Sequence, residues 1–439
     1  MTILRTVRHP FALLSLLALA ACGPAASDAP ESEEALVERA RGIHERVITA
    51  DTHDDISPAN FTAERNYTTD LGNQVNLPKM EAGGLDVAWL VVYVGQGDLT
   101  PEGFAQANAD ALEKFAAIHR LTEEIAPDRI ELALTSDDVR RIVASGKKVA
   151  MIGVENGYSL GMDLGNIQKF QELGARYLSL SHNGHSQLAD SNTGERDDVW
   201  LYGGLSDLGK QAVAELNRVG IIIDLSHPSK ESNLQAIALS QAPVIASHSS
   251  ARTLNDVSRN LSDEELMAVK ENGGVVQTVA FSSYVNSAKN SAHSEAANAL
   301  RTSIAAEMGV ELVDRRTQFT MSDEDRAAYE ARIRPVQDAV EARMGEVNAS
   351  APPVDVSDFV DHVDYLVKLI GIDHVGLSSD FDGGGGVEGW DDASETFNVT
   401  LELVRRGYTE EEIGKMWSGN LLRVLDEVQA VAARLQAGG

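Results

Sequence analysis

The stretch "GIIIDLSHPSKESNLQAIALSQAPVIASHS" (residues 220–249) opens on one apolar run, "GIIIDLSH", and closes on another, "PVIASHS". Each run ends at a serine–histidine pair. Continuous apolar runs, as opposed to alternating ones, suit parallel strands covered on both faces. Six more runs of this kind recur along the chain. They are "VITAD" (47–51), "VAWLVVYV" (87–94), "VAMIGVE" (149–155), "RYLSLSH" (176–182), "GVVQTVA" (274–280) and "HVGLSSD" (374–380).

Helix-like segments separate the runs. "FAQANADALEKFAAIHRLTEEI" repeats apolar residues at three- and four-residue steps. "DLGKQAVAELNRVG" ends in a glycine where a helix C-cap is wanted, and "SDEELMAVKENGG" starts with Ser-Asp and ends in glycines. Eight βα units predict an α/β fold, a (β/α)8 barrel of TIM type. A doubly wound open sheet is the alternative, although no glycine-rich dinucleotide fingerprint follows the first strand. A length of 439 residues suits one large barrel with insertions.

Polar residues cluster at the ends of these runs. His53 and Asp55 follow the first, and Glu155 ends the third. His182, His227, His248 and Asp380 end the fourth, fifth, sixth and eighth. Taken singly, each has a structural explanation, as a helix cap or a hydrogen-bonded core residue. In a barrel, however, all these strand ends face one mouth, where barrel active sites lie. Histidines and carboxylates without sulfur suit a divalent ion such as Zn²⁺ or Mn²⁺. His53 and Asp55 are two residues apart, so an extended strand puts them on one face, able to hold one ion. His227 and His248 could hold a second, with Glu155 bridging the two; a single ion backed by the remaining groups is the weaker alternative. No serine nucleophile is indicated, because "SHSS" (247–250) lacks the glycine-flanked elbow. "GGGG" (383–386) lacks the Lys-Ser/Thr of a phosphate loop and reads as a flexible turn.

The formal charge of −30 excludes nucleic acid, whose phosphates need a basic face. At the N-terminus, Arg5 and Arg8 precede "PFALLSLLALAAC", a short apolar stretch that reads as a signal peptide over residues 1–21. Its end resembles a bacterial lipoprotein signal, with Cys22 as the lipidated residue; the alternative is an ordinary secretory signal with an incidental cysteine. Cys22 is the only cysteine, so disulfides and thiolate ligands are excluded from the fold. Small, polar and acidic residues then predict a flexible tether over 22–38, ahead of a barrel over 39–435. The expected location is the bacterial cell envelope, with the body facing the periplasm or exterior and touching a membrane only through the lipid anchor.

The ordered set "DTHDD", "IGVENG", "RYLSLSHN", "LNRVGIIIDLSH", "PVIASHSSAR", "SRN" and "HVGLSSDFDG" resembles the membrane dipeptidase (renal dipeptidase) family of metallopeptidases. The likeness runs from about residue 40 to about 430. It implies a first metal site on His53, Asp55 and Glu155 and a second on Glu155, His227 and His248, with zinc the expected ion at both. It further implies that His182 contacts the scissile carbonyl oxygen, that Arg259 in "SRN" binds the substrate carboxylate, and that Asp380 handles the proton. The implied activity is hydrolysis of dipeptides, including those with a C-terminal D-residue, by a hydroxide held between two metals. Two alternatives stand beside it. One is an amidohydrolase acting on a β-lactam or N-acyl amino acid, and the other is a lipoprotein that binds peptides without turnover.

Neighbouring residues are assigned lesser parts. Asp51 either supports a ligand histidine or finishes the strand, while Asp54 alternates away as a bystander. His185 and Asp190 belong to a solvated loop, Asp224 supports the metal shell, and Asp382 is a turn residue. Residues 281–360, between the seventh and eighth strands, form a helical insertion, read as a lid, a homodimer contact or a solvated excursion.

Overall fold

The computed structural model describes residues 31–314, 317–318 and 320–438. The signal segment and Cys22 lie outside them. Eight parallel strands form the barrel: β1 (Ala50–Asp55), β2 (Val87–Tyr93), β3 (Lys148–Glu155), β4 (Ala175–Ser179), β5 (Ile222–Asp224), β6 (Ile245–Ala246), β7 (Val275–Val279) and β8 (Val375–Ser378). They pair in chain order around the sheet. The ring closes between its first and last strands through a parallel bridge from Asp54 to Phe381, where the Asp55 N–H donates to Phe381 O (2.8 Å). An open doubly wound sheet is thereby excluded. A ninth short strand, Ile130–Leu132, pairs with β3 outside the ring.

Two expectations are corrected. The first strand is not "VITAD": it starts at Ala50 and contains Asp51, His53, Asp54 and Asp55 within it. The apolar stretch ahead of it leads into the strand, and the polar part is the strand itself, because the mouth of the barrel is lined with polar groups. The flexible tether expected over 22–38 is already helical from Glu33, since the helix Glu33–His44 buries Ala40 and Ile43 against the barrel.

Alternate residues of each strand divide between two cores. Ala88, Leu90 and Val92 of β2 and Ala150, Ile152 and Val154 of β3 face the surrounding helices. Val87, Trp89, Val149, Met151 and Tyr177 fill the barrel interior, whose floor is closed by Leu421, Leu425 and Val428 of the C-terminal helix Asn420–Ala437. Gly153 is required inside: a Cβ there would lie 2.0 Å from the Tyr177 ring. The helices start and stop as their sequences direct. Asp263–Asn272 opens with a Ser262–Glu265 capping box and closes on Gly273, and Asp207–Val219 closes on Gly220, both glycines left-handed.

After β7 the chain makes its excursion. Helices Ser287–Met308 and Asp323–Glu341 build a small core of their own from Ile304, Ala305, Tyr329, Ile333 and Val336. The helix Val356–Ile370 that follows packs on the barrel, so the excursion ends a few residues before 360. Among the described residues no helix is long and apolar enough to cross a membrane.

Candidate metal centre

All the strand-end residues singled out from the sequence meet at the mouth. Glu155, at the tip of β3, sits between two groups. Its Oε2 lies 3.6 Å from His53 Nε2, which is itself 3.8 Å from Asp55 Oδ2. Its Oε1 lies 3.0 Å from His227 Nε2 and 3.4 Å from His248 Nε2. Asp380 Oδ1 is 4.0 Å from His53 Nε2, and His182 Nε2 is 3.8 Å from Glu155 Oε1. His227 and Asp380 both adopt left-handed backbone, φ 83° and 62°. Non-glycine residues rarely take that conformation, and it recurs at functional sites.

The hydrogen bonds behind the histidines decide which nitrogen is free. Tyr177 donates its one hydroxyl proton to Thr52 O (3.0 Å), so the contact from His53 Nδ1 (2.9 Å) must be an N–H donating to the phenol. Ser247 donates to Asp224 Oδ2 (2.6 Å) and receives His248 Nδ1–H at 2.8 Å. His227 Nδ1 faces the amide oxygen of Asn183 at 3.3 Å. In each case Nε2 is left as a lone pair pointing into the cluster.

These lone pairs fit cations. The Nε2 atoms of His227 and His248 are 3.1 Å apart, and neither has a proton to share. Among the described residues, His53 Nε2 and Glu155 Oε1 are buried without a hydrogen-bond partner. Ligands bonded to zinc at about 2.0–2.1 Å in a tetrahedron stand about 3.4 Å from one another. The spacings are 3.6–3.8 Å on the His53–Asp55 side of Glu155 and 3.0–3.4 Å on the His227–His248 side, all within about 0.4 Å of that value. Electrostatics agree. Burial pushes Glu155 up and, aided by the Glu155 charge, lifts Asp55 to about 6. Burial, with Asp55 and Glu155 adding to it, holds Asp380 well above the carboxylate range. Burial also drops His227 and His248 far below ordinary imidazole values, keeping them neutral. Without cations, packing so many acids together is unfavourable.

A cavity of about 570 Å³ opens above the cluster, lined by Asp55, Glu155, His182, His227 and Asp380 among others. Phe281 and Tyr284, at the root of the insertion, form part of its wall, with rings stacked at 4.1 Å. Arg259 is buried beside this cavity, lining a neighbouring one of about 380 Å³ that shares His227. Its guanidinium donates to Ser249 Oγ and His248 O, both at 2.9 Å, and stands 5.4 Å from the Tyr284 ring.

Several lesser assignments change. Asp51 accepts from the backbone N–H groups of His53 (3.3 Å) and Ser379 (3.0 Å), so it ties β1 to β8 and does not orient an imidazole. Asp54 is fully buried, and among the described residues neither of its oxygens has a hydrogen-bond partner. Asp190 is also fully buried, and it accepts from the N–H groups of Leu201, Tyr202 and Gly204 to hold their loop. His185 sits against Asp190, 3.2 Å away, in the same buried network. Asp382 is a turn residue stitched to Gln74, and it also lines the cavity. The glycine turn is closely fitted: a Cβ on Gly383 would lie 2.4 Å from both Asp55 Oδ2 and Asp380 Oδ1. Sequence reasoning passed over Tyr177, Ser247 and Asn183. Tyr177 lies inside a strand-like run and reads as core; only its inward register with Glu155 could have marked it.

Known proteins resemble this chain over most of its length. The family model "Membrane dipeptidase (Peptidase family M19)" matches residues 37–439. The dipeptidase tcpJ of Claviceps purpurea is 31% identical over 371 residues, covering 83% of this chain and 72% of that protein. The dipeptidase aclJ of Aspergillus oryzae is 29% identical, covering 90% and 83%. Among solved structures, the probable dipeptidase PvdM of Pseudomonas aeruginosa superposes with a TM-score of 0.73 at 32% identity, over 90% of this chain and 99% of that one. The chain belongs to the membrane dipeptidase family of metallopeptidases, peptidase family M19.

Proposed function

We propose that the protein hydrolyses dipeptides with two divalent ions, zinc being the expected metal. The observation that carries this reading is the division of Glu155, one carboxylate oxygen toward His53 and Asp55 and the other toward His227 and His248. Bound ions would supply Lewis acidity, making water a nucleophile near neutral pH and polarising the scissile carbonyl. The remaining work falls to the chain. His182, part-buried in the cavity wall, donates to the oxygen on which charge develops. Asp380, beside His53, takes the proton from the attacking water and passes it to the departing amine. Arg259 holds the C-terminal carboxylate, for which its unpartnered Nε is available. This grip sets the register for short substrates with a free C-terminus. Cys22 is proposed to carry the lipid that keeps the body at the cell envelope.

The test uses the full-length protein, metal-loaded and chelated, on a panel of dipeptides with L- and D-residues at the C-terminus. The expected result is two zinc ions per chain by elemental analysis and turnover abolished by chelation. Asp380→Asn should retain both ions and lose a factor of about 10²–10⁴ in kcat. Equal turnover by the loaded, chelated and Asp380→Asn preparations would refute the mechanism.

A further inference from the structure

Lys114 stands in the middle of the helix Pro101–Arg120, which follows β2, and it lines the main cavity together with Tyr93. Its ammonium lies 5.4 Å from the centroid of the Tyr93 ring. Among the described residues it makes no hydrogen bond and no ion pair. The acid one turn before it, Asp110, accepts instead from Gln106 (2.8 Å). Lys114 is half-buried, so it has given up much of its water without gaining a fixed anion. Burial pushes its pKa down, and Asp55 and Glu155 pull it back up. Both carboxylates belong to the ligand cluster, where cations would claim their charge.

The topology gives this cation a direction. In a ring of eight strands, β2 and β6 stand four apart, on opposite sides. Lys114 overhangs β2, and Arg259 follows β6. On the dipeptidase reading, on which this inference rests, Arg259 holds the C-terminal carboxylate. The N-terminal residue then extends toward Lys114. Its free amine would be repelled there, whereas an anionic side chain would find the unpaired ammonium. We propose that Lys114 is a specificity-determining residue that selects dipeptides whose N-terminal residue carries a carboxylate side chain.

The test compares Glu-Ala with Gln-Ala, which differ only in that charge, on the zinc-loaded full-length protein, its Lys114→Met variant and its Lys114→Arg variant. The wild type should prefer Glu-Ala by about tenfold or more in kcat/KM, chiefly through KM, and the preference should shrink as ionic strength rises. Lys114→Met should bring the ratio near unity, and Lys114→Arg should keep most of it. Calorimetric titration with phosphinic analogues of the two dipeptides reads the same discrimination without turnover. A wild type that does not distinguish the two analogues overturns the proposal, as does a Lys114→Met variant that weakens both equally. Absence of hydrolysis of either dipeptide by the wild type would instead overturn the dipeptidase reading, and the analogue titration would still decide the role of Lys114.

Discussion

Replacing Tyr177 by phenylalanine removes one oxygen from a fully buried ring and leaves the packing of the barrel interior intact. That oxygen accepts from His53 Nδ1 and donates to Thr52 O. Its loss strands two buried polar groups, each costing about 1–3 kcal/mol, so the fold should lose about 2–6 kcal/mol before any relaxation. The imidazole also loses the partner that fixes its proton on Nδ1. Loss of such a partner typically weakens a metal about 10–100-fold, or about 1.4–2.7 kcal/mol. Zinc affinity would be read by competition with a chromogenic chelator, and stability by thermal unfolding of the metal-free protein. Trp89→Phe serves as the control, because the Trp89 ring stacks on Tyr177 at 5.2 Å and touches no ligand. It should lower stability and leave zinc affinity within about twofold of the wild type. If Tyr177→Phe binds zinc like the wild type, or if both variants weaken it alike, the hydrogen-bond account of His53 is wrong.

Two further outcomes are expected. Gly383→Ala would place a methyl group 2.4 Å from the Asp55 and Asp380 carboxylates, and it should weaken zinc at least about tenfold by chelator competition; Gly345→Ala, which meets nothing within 4 Å, should leave zinc affinity unchanged. His44 is buried between Thr400 Oγ1 (2.7 Å) and Gly83 O (2.9 Å), and burial lowers its pKa. The unfolded chain therefore takes up a proton that the folded one refuses, and stability falls as pH drops below about 6.5, by at most about 1.4 kcal/mol per pH unit. In urea unfolding of the metal-free protein, the gap between wild type and His44→Gln should narrow from pH 7.5 to 5.5; a constant gap would exclude His44 as the source.

Seven of the eight strands were legible because a doubly covered parallel strand must be apolar on both faces, and runs such as "VAMIGVE" are. Most of the candidate ligands were legible because they stand at the ends of those runs. What stayed hidden lies where polarity is itself buried. The stretch from Asp51 to Asp55 looks like a turn until the barrel encloses it, and Asp190 looks solvated until the N–H groups of residues 201–204 converge on it. Closure of the ring is a long-range property that no local period records. The glycines of 383–386 are chosen for their fit against two carboxylates, a requirement visible only once Asp55 is brought beside Asp380.

The seam between β1 and β8 joins parts of the chain that are far apart in sequence: Asp51 meets Ser378 across 327 residues. His53 and Asp55 lie on one side of that seam and Asp380 on the other. A nascent or truncated chain lacking its last strand would hold His53, Asp55 and Glu155 but neither the Asp51 brace to Ser379 nor the bridge from Asp54 to Phe381. Completion of the polypeptide is thus what closes the wall on which His53 and Asp55 stand.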